Sequence, residues 1–409
     1  MSLHLKKLLI LPVCLLAACS SAFDNLLFSL VPRPQEPKDR PYEIKEVEFI
    51  NPRDGTKLAG EITYPSSGDK FPAFVLISGH EDGTPPAGRD YEITGHKYFF
   101  VISDLLTRRG YAVLRFDNRG VGKSFGDYST ASDEEFASDA AAVLRWLRKS
   151  SGLVLSKSGF LGHSQGGIKA LIAASHEKPD YVVALAGLGV EAPTQFFVRQ
   201  NHAINSAQGM ESSKIEQINR EIGDIIAILQ TSKNLDEARL RIRDYAIESG
   251  ITKDKEIRKL ADHFATNWWF EEVRRNPEDM IKSYDGPILA LFGSKDLLVS
   301  ASVNEEPVRK LMLHPHSDAY AFEGLNHLFQ EARNGTGPYE YWEIETTIEE
   351  KVVDKIDLWT RSVHTKNCSG QVAECRVSAP SEAWCILQGE SPCRVRSSQP
   401  PVSSVAFVA

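Results

Sequence analysis

The chain has 409 residues, 42% hydrophobic and 25% charged, with 55 acidic against 47 basic side chains and a formal net charge of −8. That balance is ordinary for a globular protein and excludes collagen-like, coiled-coil and wholly disordered chains. An acidic surface also argues against a nucleic-acid partner, whose phosphates need Lys and Arg. The six cysteines stand only at the two ends: Cys14 and Cys19, then Cys368, Cys375, Cys385 and Cys393. Neither a cysteine nucleophile nor a cysteine-built zinc site therefore fits the main body.

Residues 1–18 read as an export signal, because Lys6 and Lys7 precede an apolar run at 8–16 that falls short of the ~20 residues needed to span a bilayer. The run ends in Leu16-Ala17-Ala18-Cys19, which resembles a bacterial lipobox. By that resemblance the signal is cut before Cys19, and acyl chains on Cys19 anchor the protein in the membrane of the cell envelope. Ser20, rather than Asp, after the cysteine implies the outer membrane, facing the periplasm. The other reading is a plain signal peptide cleaved after a small residue. Residues 19–42, with Pro32, Pro34, Pro37 and Pro41, read as anchor and tether.

Segments 43–50 and 58–64, divided by Asp54-Gly55, predict an antiparallel entry hairpin. A buried strand at 74–77, a helix at 99–108 and a strand at 111–116 follow. The helix expected at 133–149 carries Phe136, Ala140, Val143, Leu144 and Leu147 on one face, and strands at 158–161 and 181–186 bracket a helix at 168–176. Strands at 288–292 and 319–322 and a helix at 348–363 close the alternation. The fold class is therefore α/β, a mostly parallel central sheet flanked by helices. Between 186 and 288 the pattern is mainly helical: Ser212 or Ser213 can cap a helix with Ile215, Ile218, Ile222, Ile225, Ile226 and Leu229 on one face, and further helices are expected at 235–248 and 255–275. This divides the chain into core 43–190, helical cap 191–284 and core 285–366. Residues 367–409 lack either period and read as a disordered tail, whose four cysteines could alternatively form two disulfides in an oxidising compartment.

The chemistry-bearing pattern is Gly162-His163-Ser164-Gln165-Gly166, set between a strand and a helix. A serine hydroxyl is a weak nucleophile and needs an exposed, tightly turned position beside a base; small flanking residues let the backbone turn there. The acid and base should follow downstream, each after its own strand. Asp296 follows 288–292 and His327 follows 319–322, so Ser164, Asp296 and His327 form the expected catalytic set, with Asp318 and Asp285 weaker candidates for the acid. His163 is too close to its serine in sequence to serve easily as the base. The backbone N–H groups of Gln165 and His80 are the expected oxyanion donors. No metal site is expected; a pairing of His80 with Asp82 lacks a second histidine nearby. Gly120-Val121-Gly122-Lys123-Ser124 mimics a phosphate-binding loop, but Asp117 stands where that loop needs glycine, so a structural turn is expected, with Arg119 buttressing the elbow. Trp268, Trp269 and Phe270 are either cap core or a wall for substrate, and Phe329 is a further candidate substrate contact.

Over 43–363 these stretches together resemble a bacterial α/β-hydrolase of the esterase and serine-aminopeptidase-like group: 76–79, the run at 106–128, the elbow, Leu185-Ala186-Gly187 and Asn326-His327-Leu328-Phe329-Gln330. The resemblance implies a Ser-His-Asp carboxylic-ester hydrolase with a cap over its site, a small-molecule ester substrate and no cofactor. The sequence departs from that group at His80 and Glu81, where a small residue and Gly-Pro are usual. A peptidase or amidase on the same residues, and a non-catalytic binding lipoprotein, are the competing readings.

Overall fold

The computed structural model describes residues 31–79, 88–335 and 339–364, together with the backbone of three short strands beyond them. Eight strands form the main sheet: β1 (Glu43–Ile50), β2 (Lys57–Tyr64), β3 (Phe71–Ile77), β4 (Ala112–Phe116), β5 (Leu155–His163), β6 (Val182–Leu185), β7 (Ile288–Gly293) and β8 (Asp318–Phe322). Their spatial order is β1-β2-β4-β3-β5-β6-β7-β8. Strand β2 pairs antiparallel with both β1 and β4; every other ladder is parallel. This is the α/β-hydrolase fold. Its central strands read as continuous apolar runs because helices cover both faces; Phe74, Val75, Phe160, Leu161, Val182 and Leu291 have no exposed surface. Each such side chain contributes about 1.5–3 kcal/mol on leaving water.

Helices α1 (Tyr98–Arg108), α2 (Asp133–Lys149) and α3 (Gln165–His176) connect the first strands. Helix α2 starts where the sequence says it should: the Ser132 hydroxyl accepts from Glu135 N at 3.2 Å while the Glu135 carboxylate accepts from Ser132 N at 2.9 Å. Between β6 and β7 come α4 (Pro193–Ala207), α5 (Ser212–Thr231), α6 (Leu235–Glu248), α7 (Asp254–Phe264), α8 (Asn267–Glu272) and α9 (Pro277–Lys282). These cap helices pack on a hydrophobic cluster of their own, centred on Ile222, Ile225, Ile226, Leu229, Ile242 and Trp269. Helices α10 (Ala301–Leu311), α11 (Tyr339–Glu343) and α12 (Glu350–His364) complete this unit.

Several expectations need correction. The helix expected at 255–275 is broken at Ala265, because Thr266 caps a new one by accepting from Trp269 N at 3.3 Å. Neither Ser212 nor Ser213 caps α5; the N-cap is Glu211, whose side chain makes no capping bond. Helices α4 and α9 each begin with proline, Pro193 and Pro277, at a position where the missing N–H costs nothing. Arg119 does not reach the elbow: it binds Asp139 at 2.7 Å, Glu135 at 2.8 Å and Asp54 at 2.9 Å, tying its turn to α2. Residues from 31 on are not a free tether, since Arg33 donates to the carbonyls of Gly95, Ile344 and Trp342 at 3.2, 2.8 and 2.9 Å. Strands β9 (Glu374–Ala379), β10 (Glu382–Ile386) and β11 (Cys393–Val395) pair antiparallel in the tail unit, 363–409. They are too short, and too closely divided by Pro380-Ser381, to reveal a period in the sequence. Cys19 lies outside the described residues.

Candidate active site

Ser164 occupies the turn between β5 and α3 at φ +54° and ψ −132°, a conformation L-residues avoid at a cost of about 1–3 kcal/mol. Hydrogen bonds hold it there: Ser164 N donates to Leu185 O at 2.8 Å and Gly167 N to Ser164 O at 2.9 Å. The flanking glycines are sterically required. A Cβ at Gly162 would strike the Gly166 backbone, one at Gly166 the Ile77 carbonyl, and one at Gly187 the Ser164 carbonyl. The backbone can turn this sharply only where no side chain intervenes.

Asp296 and His327 arrive from the ends of β7 and β8. Asp296 Oδ1 accepts from Leu298 N at 2.7 Å and Val299 N at 3.0 Å, which aims Oδ2 at His327 Nδ1, 2.8 Å away. Both side chains are buried. The contact fixes a proton on Nδ1 and leaves Nε2 as the ring's basic atom. The loop carrying His327 is internally braced: Asn326 Oδ1 accepts from Leu328 N and Gln330 N, each at 3.0 Å, and Gln330 Nε2 donates to Thr346 O at 2.8 Å. It comes so close to β7 that a Cβ at Gly293 would meet the Leu325 and Asn326 carbonyls. Of the weaker acids, Asp318 is paired with Arg309 and Lys355, and Asp285 with Lys178 at the surface.

His163 is the residue that joins the elbow to this loop. Its Nε2 lies 3.0 Å from the His327 carbonyl, its ring 4.9 Å from the His327 ring and 4.7 Å from Tyr98. Burial, and secondarily the neighbouring His327, push its pKa well below the usual histidine range. A neutral ring that donates through Nε2 accepts at Nδ1, where the Tyr91 hydroxyl stands at 3.3 Å. His163 is thus a wedge under His327, and its burial beside Ser164 is what the sequence could not display.

The loop after β3 brings Gly79 against the elbow, for a Cβ there would lie 3.0 Å from Ser164 Cβ and 2.6 Å from the Tyr91 hydroxyl. His80 lies outside the described residues. Gln165 opens α3, and its side-chain amide donates to Asp133 Oδ2 at 3.1 Å and Glu272 Oε2 at 3.2 Å. Arg275 pairs with both carboxylates, at 2.8 Å for Asp133. Burial raises the pKa of Glu271 and Glu272, and Asp133 nearby adds to the effect in both. The sequence reading missed this junction of elbow, α2 and cap; the capping box that places Asp133 first in α2 was its one visible signal.

The aromatic cluster divides. Trp269 is buried in the cap cluster, with ring centroids 4.7 Å from Phe197 and 5.0 Å from Phe264; Trp268 packs on it at 4.8 Å, and Phe270 lies under the Arg274 guanidinium. Phe329, expected to touch substrate, is instead wholly buried 6.2 Å from Phe322, so it supports the His327 loop from within. Among the described residues no group of three or more His, Cys, Asp or Glu side chains could hold a metal.

Sheet order, elbow and the paired Asp296 and His327 define a hydrolase-type α/β protein. Over residues 54–306 the chain matches the X-Pro dipeptidyl-peptidase (S15) family, and it belongs to that family. It is similar to esterase EstD of Thermotoga maritima, 23% identical over 302 residues that cover 74% of this chain and 65% of that relative, so it spans about two thirds of EstD. Similar solved structures include an esterase of Pyrococcus furiosus, 17% identical over 80% of this chain and 94% of that one with a TM-score of 0.49. Another is Est1E of Butyrivibrio proteoclasticus with ferulic acid bound, 17% identical over 78% and 100% of the two chains, TM-score 0.46.

Proposed function

We propose that the protein is a serine hydrolase that cleaves carboxylic esters through an acyl-enzyme. Ser164 Oγ attacks the ester carbonyl carbon as His327 Nε2 takes its proton, and the oxyanion forms against the Gly79 loop and the start of α3. The imidazolium, oriented by Asp296, returns that proton to the departing alcohol; water, deprotonated by the same Nε2, then releases the acid. The observation that carries this reading is the 2.8 Å contact of His327 Nδ1 with an Asp296 carboxylate whose other oxygen is fixed by two backbone amides. The likeness to EstD, named an esterase, supports it. The test is Ser164→Ala: ester turnover and fluorophosphonate labelling vanish while the circular dichroism spectrum is unchanged. A labelled alanine variant would falsify the assignment.

Amide hydrolysis on the same residues is the second reading, favoured by membership of a dipeptidyl-peptidase family and by the carboxylates of Asp133 and Glu272 beside Gln165. Matched ester and Xaa-Pro amide substrates separate the two by their kcat/KM ratio. Acylation of Cys19 and residence at the periplasmic face of the outer membrane complete the proposal; incorporation of labelled palmitate, lost in Cys19→Ala, tests it.

A further inference from the structure

Arg199 stands on α4, the first helix after β6, yet its guanidinium bonds run toward the sheet. Its Nε and Nη2 donate to the two oxygens of Glu191 at 2.7 and 2.9 Å, and Glu191 also accepts from Asn304 Nδ2 at 3.4 Å. Asn304 has no exposed surface and is itself fixed, its Oδ1 accepting from Val190 N at 2.9 Å and its Nδ2 donating to Ser300 O at 2.9 Å. An ion pair with Glu191 would be complete with these contacts alone. Arg199 goes further: Nη2 donates to the Leu298 carbonyl at 3.0 Å, and Nη1 reaches the Leu297 carbonyl at 3.4 Å.

Those two carbonyls are the far edges of the two peptides that hold the acid. The Leu297–Leu298 peptide carries the amide that donates to Asp296 Oδ1 at 2.7 Å, and the Leu298–Val299 peptide carries the one that donates to it at 3.0 Å. A trans peptide is planar, and its C=O and N–H point in opposite directions. One guanidinium on both carbonyls therefore fixes the direction of both amides. Its rigid fork of donors spans a carboxylate and two carbonyls at once, which the point charge of an ammonium cannot do. Charge-assisted bonds to the carbonyls also polarise the peptides, so each amide becomes a stronger donor to the carboxylate. We infer that Arg199 is a positioning residue for Asp296: it clamps the backbone at 297–299 from outside, so that two fixed amides hold Oδ1 and Oδ2 stays aimed at His327 Nδ1. The inference rests on the reading of Ser164, Asp296 and His327 as the catalytic set. It ties the root of the cap to the sheet, apart from the contact that Arg275 makes with Asp133.

The test compares wild type with Arg199→Met and with the double variant Arg199→Met/Glu191→Gln, which leaves no stranded carboxylate. A displacement of about 1 Å in a catalytic group costs on the order of 10²-fold. With both amides still present, a fall in kcat of at least about tenfold is expected in each variant, with KM changed less than about threefold. The second readout is the low-field proton resonance of His327 Nδ1–H, which should move upfield or broaden into exchange with water once the clamp is gone. A merely structural arginine would lower the thermal midpoint and leave that resonance in place. Folded variants with kcat within about threefold and the resonance unmoved overturn the inference. Recovery of kcat in the double variant overturns it too, because the loss would then belong to the stranded Glu191 charge. Should neither variant fold, Arg199→Lys answers: it keeps the charge pair with Glu191 but cannot hold both carbonyls, and an unmoved resonance there overturns the role. Fluorophosphonate labelling of wild type, absent from Ser164→Ala, leaves the nucleophile standing in each of these cases. A wild type that is not labelled retires the catalytic reading itself, which is a different failure.

Discussion

The sheet and the cap are held together by different means. In the sheet half, the chemistry-bearing groups are fixed by backbone: Ser164 by amide bonds to Leu185 and Gly167, Asp296 by the amides of Leu298 and Val299, His327 by a loop that only Gly293 allows near β7. The cap folds on a cluster of its own and reaches the elbow through side chains, Arg275 and Glu272 meeting Asp133 and Gln165. Backbone groups that bond to one another, or donate to a side chain, survive most substitutions around them, whereas a contact between two side chains is lost when either is replaced. On the proposed mechanism the reaction is vested in the rigid half, and the junction is where substitutions should alter substrate preference without loss of chemistry.

The largest effect expected of a single substitution in the rigid half, after loss of the serine itself, is that of Asp296→Asn. The asparagine oxygen can keep the Leu298 and Val299 amides, but its NH2 presents a proton to His327 Nδ1 and so favours the wrong tautomer. A fall of about 10⁴-fold in kcat is expected, with the thermal midpoint nearly unchanged; steady-state kinetics beside calorimetry checks both. Next is Gly293→Ala. Its methyl has only carbonyls to displace, so the His327 loop must move, and a shift of about 1 Å in a catalytic group costs on the order of 10²-fold. Unlike the aspartate change it should also lower the urea midpoint. Retained activity in either variant would show that the sheet half is less rigid than its contacts imply.

How much of this could be read beforehand follows the same division. Strand and helix order, the elbow, and both Asp296 and His327 were legible because each depends on local signals: an apolar run, a glycine at a turn, a polar residue just after a strand. The helix α2 was legible from its apolar face alone; the Ser132 and Glu135 capping pair that fixes its start lay within four residues of each other but went unread. What escaped were contacts between distant segments. Nothing near Phe329 announces that it will be buried against Phe322, and nothing near Arg275 announces Asp133. The docking of Arg33 on the Ile344 and Trp342 carbonyls joins residues about three hundred positions apart. Such pairs are decided by packing, which no single stretch of chain encodes.

The junction gives the third prediction. Arg275→Met removes the cation shared by Asp133 and Glu272 and loosens the cap without touching the Asp296–His327 contact. KM should rise about tenfold, equivalent to roughly 1.4 kcal/mol of ground-state binding, with kcat within about threefold. Equal losses in kcat and KM would mean that the cap takes part in the chemistry, and the contrast between the halves would fail.

The last expectation concerns stability rather than rate, and it is one of sign. His96 is buried between Thr347 Oγ1 at 3.0 Å and the Tyr341 carbonyl at 2.9 Å, and burial, with Arg33 adding to it, lowers its pKa to about 4. In the unfolded chain it titrates near the ordinary histidine value of about 6.5. Between these values the unfolded state binds the proton and the native state does not, so the stabilisation is complete above about pH 6.5 and drains away as pH falls toward about 4, by roughly 3 kcal/mol in all. Glu271 and Glu272 at the junction have raised pKa values and act oppositely: the native state takes up their protons more readily, so acid relieves a strain that grows as pH rises through their folded pKa. Urea midpoints from pH 7 to pH 4.5 should therefore fall in wild type and fall less in His96→Gln. In Glu272→Gln they should fall more steeply, because the compensating uptake at the junction is gone. Parallel slopes for the two variants would mean that sheet and junction respond to acid as one body.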